Sequence, residues 1–182
     1  MAVKGRRPGK RGGKSDKRGV NGDHVAVIAT QDRKSALDLT VATLGRIGKA
    51  DIGSAIGDRL KKGAAILCTD AHRSYNAFAR DIGVEYHPLN ASKGERVKEG
   101  IYHVQHVNST HNRLKKWIGN TFWGVSTKYL QQYLDWHRAK ERIKRSRDRA
   151  QAFVRHTMED AKALERYRGI GPRYEKLMST LD

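Results

Sequence analysis

The sequence predicts one mixed α/β domain, with helices packed on a partly parallel sheet, followed by a helical tail. The chain has 182 residues, of which 37% are hydrophobic, enough for one modest core. Between residues 24 and 87, β-rich runs alternate with runs of helical spacing, which is typical of helices covering a sheet. Beyond residue 100 only helical spacing recurs, so the C-terminal part is predicted to be helical.

Residues 1–23 form a basic, glycine-rich arm that contains almost no apolar side chains and therefore cannot build a core. The arm is either a solvated tail or a phosphate-binding segment. The excess of cations without acidic neighbours favours phosphate binding. The predicted DNA-binding cations of the arm are Lys4, Arg6, Arg7, Lys10, Arg11, Lys14, Lys17 and Arg18.

The next segment, residues 24–87, reads as a hairpin followed by two helices and two strands. Residues 24–30 and 36–43 are β-rich and flank a polar turn, which predicts an antiparallel hairpin. A helix over 51–62, with Asp51 as its N-cap, leads to a strand over 64–70. A second helix over 71–82 precedes a short strand at 84–87.

The C-terminal half is predicted to consist of helices. Val104, Val107, His111, Leu114 and Ile118 recur at spacings of three and four, which marks one face of a helix. The helix after Ser126 is expected to turn inward Tyr129, Tyr133, Trp136 and Ile143 and to expose Lys or Arg at 138, 140, 142, 144, 145, 147 and 149. The domain is expected to span 24–143, with a helical basic tail over 144–182 that ends near Gly169–Pro172.

A formal net charge of +18 makes nucleic acid the leading partner class, because a compact basic body is stabilised by a polyanion. A membrane partner is disfavoured, since no window holds the roughly 18 apolar residues of a spanning helix. Residues 1–23 contain no signal-peptide core, so a cytoplasmic location is expected. The single cysteine, Cys68, excludes an internal disulfide and a cysteine-based zinc site.

Asp70 is the first candidate catalytic residue, because it ends an apolar strand just before a helix. Open α/β sheets bind their ligands at the carboxyl ends of such strands. The alternative role of Asp70 is a helix N-cap. Asn108 and Lys115 lie seven residues apart on the predicted helix, within about 20° of each other around its axis. They share a face that is either a catalytic cleft or a solvated polar edge.

Two further groups of residues have both a functional and a purely structural interpretation. His103, His106 and His111 are spaced by three and five without an intervening acid or cysteine, so phosphate contact or packing is favoured over zinc. Aromatic residues alternate with lysines in the same region, which suits either base stacking or core packing. This second group comprises Trp117, Phe122 and Trp123 with Lys115, Lys116 and Lys128.

Four segments together resemble the transposase domain of bacterial insertion sequences in the DDE superfamily, specifically the ISXO2-like group. They are Gly-Lys-Arg-Gly-Gly-Lys at 9–14, the run from Leu67 to Phe78, the run from Tyr102 to Asn108, and Arg113 to Trp117 followed by Gly124 to Leu130. The resemblance covers the chain from about residue 4 to Arg142. It implies a ribonuclease H-like mixed sheet with flanking helices and a site that uses Mg²⁺ or Mn²⁺.

The resemblance also implies roles for individual residues. Asp70 matches the family's second metal-binding acid, Asn108 the third member and Lys115 the helix lysine, with His111 as the fallback third member. Asp70 and Asn108 would hold metal, and Lys115 and Lys116 would join the arm in binding DNA. The implied function is metal-dependent DNA strand cleavage and strand transfer, with transposon ends and target DNA as partners and with a homo-oligomeric transposition complex. The alternative is a non-catalytic basic nucleic-acid-binding protein.

The sequence departs from the family at its first acid. In the family this Asp lies in an Asp-Glu-Thr context on a strand that precedes the basic arm, and no such strand precedes the arm here. We therefore expect a truncated domain whose sheet lacks its central strand, between the hairpin and the strand ending at Asp70. Such a chain is expected not to cut DNA alone, unless Asp32 or an acid from a second subunit supplies the ligand.

Overall fold

The computed structural model describes residues 18–34, 36–90, 93–122, 124–158 and 163–181. The strands are β1 Val25–Gln31, β2 Leu37–Leu44, β3 Ile66–Asp70, β4 Glu85–Leu89, β5 Val97–Lys98 and β6 Tyr102–His103. The α-helices are α1 Lys49–Ile56, α2 Arg73–Ile82, α3 Gln105–Trp117, α4 Leu130–Arg145, α5 Arg149–Met158, α6 Ala163–Arg168 and α7 Ile170–Met178. A mixed α/β fold is thus confirmed.

The predicted hairpin is confirmed, because β1 and β2 pair antiparallel from Val25 opposite Leu44 to Gln31 opposite Leu37. Alternate side chains of β2 enter different cores, as the two-residue repeat of a strand requires. Leu39 packs with residues of α3 and α4, whereas Ala42 packs with residues of α1 and α2. The hairpin therefore lies between two helical layers.

The segment from α1 to β4 follows the predicted order, with shifted boundaries. β3 and β4 pair in parallel, and α2 forms the crossover between them. The N-cap prediction for Asp51 is wrong, because α1 begins at Lys49 and Asp51 lies inside its first turn. The Asp51 carboxylate accepts the Gly48 N–H at 2.7 Å, which satisfies a backbone donor that the helix leaves open.

Charged contacts tie the surrounding helices to β2. Asp38 accepts from Arg138 of α4 at 2.8 Å and pairs with Arg59, which follows α1. Burial raises the pKa of Asp38, but the hydrogen bonds from Arg59 and Thr40 and the charges of Arg59 and Arg138 outweigh it and lower the pKa. The Asp38 carboxylate therefore stays ionised and joins elements from both helical layers.

The predicted inward face of α4 is wrong. Leu130, Leu134 and His137 are buried, whereas Trp136 is 56% exposed and Tyr129 is 45% exposed. The aromatic residues pack on one another instead of entering the core, with the Trp136 ring 5.2 Å from that of Trp117. Aromatic rings gain from such edge-to-face packing at a partly exposed site, so their presence did not mark the buried face.

The chain remains helical beyond the expected end of the tail. Gly169 precedes α7, and Pro172 lies in the first turn of that helix, where a backbone N–H is not needed. Ile170 and Met178 are buried, and α7 contacts β2 and the turn preceding α4. The Gly-Pro pair therefore starts a helix here rather than ending one.

The strands described by the structure form three separate pairs: β1 with β2, β3 with β4, and β5 with β6. No ladder joins β1 to β3 within these residues. Each of these two strands is paired along one edge only. An edge that is not paired presents backbone donors and acceptors to its surroundings.

Candidate active site

A cavity of about 860 Å³ is bounded by β1, β3 and the first turns of α3. β1 contributes five consecutive residues, Val25–Ala29, and β3 contributes Cys68–Asp70. From α3 and its N-cap come Val104, Gln105, Val107, Asn108 and His111. Apolar strand residues thus form one part of the wall, and polar residues gather around Asp70.

Asp70 ends β3 at this cavity and is exposed. Its backbone carbonyl accepts from the Thr69 hydroxyl at 2.6 Å and from the His72 N–H at 2.8 Å. Its carboxylate makes no hydrogen bond or ion pair with any residue that the structure describes. The N-cap of α2 is His72, whose Nδ1 accepts from Ser74 N–H at 3.4 Å, so Asp70 does not serve as the cap.

On α3, Asn108 borders the same cavity as Asp70. Burial lowers the pKa of His111, the Lys115 charge lowers it further, and the Asp70 charge raises it. Asp70 and Lys115 therefore both lie close enough to His111 to affect its proton affinity. Lys115 is exposed and is not among the residues that line the cavity. Convergence of Asp70, Asn108 and Lys115 stays a prediction.

The donor types around Asp70 fit a hard divalent cation, because a carboxylate and an amide oxygen are ligands that Mg²⁺ accepts. Within the described residues, however, no group of three or more His, Cys, Asp or Glu side chains is placed to hold a metal ion. Asp32, considered as an additional ligand, accepts the Ala36 N–H at 2.7 Å in the hairpin turn and does not line the cavity.

The other histidine candidates also lack metal-site geometry. His103 and His106 stack obliquely, with ring centroids 5.0 Å apart, and they too belong to no metal-holding group of described side chains. A pair of packed imidazoles accounts for their spacing in the sequence. Of the three histidine candidates, His111 is the one that lines the cavity with Asp70.

Sequence reasoning missed several residues that line the cavity: His24, Arg46, His72, Tyr75, Glu95 and Arg96. They come from loops and helix starts far apart in the chain, so no local spacing identifies them. The Glu95 carboxylate accepts the Asn90 N–H at 3.1 Å, which ties it to its own loop. Burial raises the pKa of Cys68, which keeps its thiol protonated and disfavours a nucleophilic role for it.

The predicted DNA-binding residues are distributed as follows. Lys115 and Lys116 are exposed near the end of α3, and Arg18 is exposed ahead of β1. The arm residues from Lys4 to Lys17, and also Trp123, lie outside the described residues. Trp117 packs against Phe122 at 4.9 Å and against His137 at 5.1 Å, so it belongs to an aromatic cluster between helices.

Among the described helices, none combines the length and the apolar character needed to cross a bilayer. No curated protein and no solved structure matches the chain. The family model of the ISXO2-like transposase domain matches residues 3–137, which include β1 to β6, α3, all the residues that line the Asp70 cavity and the first half of α4. With most of its length matched, the chain belongs to the ISXO2-like transposase family.

Proposed function

We propose that the protein acts on DNA as a transposase, binding transposon ends and target DNA in the bacterial cytoplasm and taking part in strand cleavage and strand transfer. The observation that carries the proposal is the Asp70 carboxylate, which makes no hydrogen bond or ion pair with a described residue although the chain carries a net charge of +18. In so basic a protein, a carboxylate left available at a cavity is suited to bind a divalent cation.

Asp70 and Asn108 would hold Mg²⁺ or Mn²⁺ through their oxygen atoms. Held by these two residues, a divalent ion would supply Lewis-acid polarisation of a phosphodiester and stabilisation of the charge that develops on its oxygens. Lys115 would bind a DNA phosphate as a point charge, since its ammonium group is exposed on the same helix as Asn108. Homo-oligomerisation in a transposition complex is part of this proposal.

The proposal assigns the fold to the ribonuclease H-like class, with a place for one strand between β1 and β3 that none of the described residues occupies. Two observations support this assignment: the β1–β2 and β3–β4 pairs remain separate, and the cavity is lined by consecutive residues of both β1 and β3. An extended segment in that place would pair with both edges. If it carries an acid beside Asp70, it also supplies the charge that a divalent ion needs.

Nicking of supercoiled plasmid in Mn²⁺ tests the function together with the proposed strand position between β1 and β3. The chain is assayed alone and with a seven-residue peptide, the length of β1, in which valines flank Asp-Glu-Thr. Nicking is expected with chain and peptide together. It should be lost with Asp70→Ala and with a peptide carrying Asn for Asp. Glu95→Gln, at the same cavity, is the matched control that keeps activity.

The outcomes separate the parts of the proposal. Hydrogen exchange at residues 25–29 and 66–70 reports whether the peptide occupies the gap. A bound peptide that produces no nicking contradicts the cleavage function and favours the non-catalytic nucleic-acid-binding alternative. Asp70-dependent nicking by the chain alone supports a transposase but contradicts the need for an added strand.

A further inference from the structure

A second cavity of about 870 Å³ lies between α4 and α5, away from Asp70. Its volume is in the upper part of the range for ligand-binding clefts, roughly 300–1,000 Å³. Its lining includes Asp135, Trp136, Arg142, Lys144, Arg149 and Phe153. We call it the α4–α5 groove.

Hydrogen bonds in the turn fix how the two helices meet. The Ser146 hydroxyl donates to the Asp148 carbonyl at 2.8 Å. The Asp148 carboxylate accepts the Gln151 N–H at 2.9 Å, which caps the first turn of α5. Helical spacing then places residues 136, 140 and 144 along one face of α4 and residues 149, 153 and 157 along one face of α5.

The α4–α5 groove is strongly basic. Among the described residues that line it, Asp135 is the one acid, and it pairs with Arg138 at 3.5 Å. Arg142, Lys144 and Arg149 form no ion pair with a carboxylate of the described residues. These three cations are therefore available to an anionic ligand.

Two aromatic rings are exposed among these cations. Trp136 is 56% exposed and Phe153 is 57% exposed, one on each helix of the groove. The Trp136 ring packs edge-on against the Trp117 ring, with the two ring centroids 5.2 Å apart. This contact fixes the orientation of the Trp136 ring on which a base could stack. Exposed rings between cations suit nucleotides, whose bases stack on aromatic faces while their phosphates meet the cations.

We propose that the α4–α5 groove binds single-stranded DNA, with bases stacked on Trp136 and Phe153 and phosphates bound by Arg142, Lys144 and Arg149. A second copy of the chain is a poor occupant, because each copy carries +18 and a basic groove would repel it. Duplex DNA keeps its bases stacked inside and cannot use the two rings. The choice of DNA as the nucleic acid rests on the proposed function. The groove residues after residue 137 lie outside the segment that the family model matches.

The test measures binding of a fluorescent oligothymidylate and of a duplex of equal length by anisotropy, using the full chain. Phe153→Ala and Trp136→Ala should each weaken single-strand binding about tenfold, as loss of base stacking does, and change duplex binding little. Tyr167→Ala is the matched control, because Tyr167 is 72% exposed and does not line the groove. Phe153→Trp should retain binding.

The cations are tested separately through salt dependence. Lys144→Ala with Arg149→Ala should reduce the slope of log affinity against log salt for the single strand by about 1.4, which corresponds to two phosphates. Photocrosslinks from iododeoxyuridine should map to Trp136 or Phe153. Lys61→Ala with Lys62→Ala, at exposed positions after α1, should leave these crosslinks unchanged.

The proposal is overturned if the aromatic variants bind the oligonucleotide like the unmodified chain, or if crosslinks map elsewhere. Equal weakening of duplex binding would show that stacking is not involved. Competition by polyglutamate as effective as that by the oligonucleotide would show that the groove takes any polyanion. Asp70→Asn should leave single-strand binding intact, so failure of this proposal is distinguishable from failure of the proposed transposase function.

Discussion

His137 shows how one residue can make the stability of the protein depend on pH. Its side chain is buried, and neither ring nitrogen has a hydrogen-bond partner within the described structure. Burial lowers the pKa of His137, the Glu141 charge raises it, and nearby Lys140 and Arg113 lower it. The folded protein therefore favours the neutral ring, whereas the unfolded chain takes up a proton below its ordinary pKa of about 6.5.

We expect the free energy of unfolding to be highest above about pH 6.5 and to fall as pH decreases through the lowered folded-state pKa of His137. His137→Leu should remove part of this loss, because leucine takes up no proton when the chain unfolds. It should not destabilise the protein at neutral pH, because no hydrogen bond is lost. Thermal unfolding at about pH 7.5 and 5.5 measures the effect.

His106→Ala provides the control for this prediction, since His106 is exposed on α3. The pKa of His111 is also lowered by burial, so part of the pH dependence should persist in His137→Leu. An unchanged difference between the two pH values in His137→Leu would show that His137 does not carry the effect.

The two edges of the hairpin differ in how they are covered. Along the outer edge of β2, the Gln131 side chain accepts the Val41 N–H at 2.9 Å and donates to the Leu39 carbonyl at 3.0 Å. A side chain from α4 thus makes the backbone hydrogen bonds that a neighbouring strand would make. Along β1, five consecutive residues border the cavity instead. The covered outer edge and the open inner edge are consistent with a strand position between β1 and β3.

Gln131→Ala should lower the free energy of unfolding by about 1–2 kcal/mol, because two buried backbone groups lose their partners. Gln151→Ala, at an exposed position of α5, should change it by less than about 0.5 kcal/mol. Urea unfolding compares the two variants. Equal effects would contradict the view that Gln131 protects the edge of β2.

Local patterns predicted single elements better than they predicted how the elements pack. The alternation in residues 36–43 and the spacing from Val104 to Ile118 are local, and they gave the hairpin and α3. The phase of α4 was wrong because Trp136 packs on other aromatic residues at the surface. The start of α7 was missed because glycine and proline near one another mark a helix start as well as an end.

The candidate site was predictable only in part, for the same reason. Asp70 could be found from its place at the end of a strand, and Asn108 from helical phase and the resemblance. Tyr75 on α2 and the consecutive residues Glu95 and Arg96 reach the same cavity from two separate segments, and no sequence spacing relates these segments to Asp70 and Asn108. The distance between Asp70 and Asn108 depends on how β3 and α3 pack, which a local pattern does not specify.

At the scale of the whole molecule, the charge of +18 should dominate affinity for DNA. Replacing the eight cations of the arm by glutamine should reduce the slope of log affinity against log salt for duplex DNA by up to about 7, since each bound phosphate contributes roughly 0.9. Binding measured at several salt concentrations gives both slopes. Identical slopes would show that the arm does not contact phosphates.

The central claim is that Asp70 and Asn108 form one metal-binding site. Titration of the isotope-labelled chain with Mn²⁺ tests it directly, because the paramagnetic ion broadens nearby amide signals. We predict that signals of residues 69–71 and 108–111 broaden together, that Asp70→Asn abolishes the effect, and that Glu95→Gln preserves it. Broadening that survives in Asp70→Asn, or that affects one of the two segments without the other, would contradict the claim.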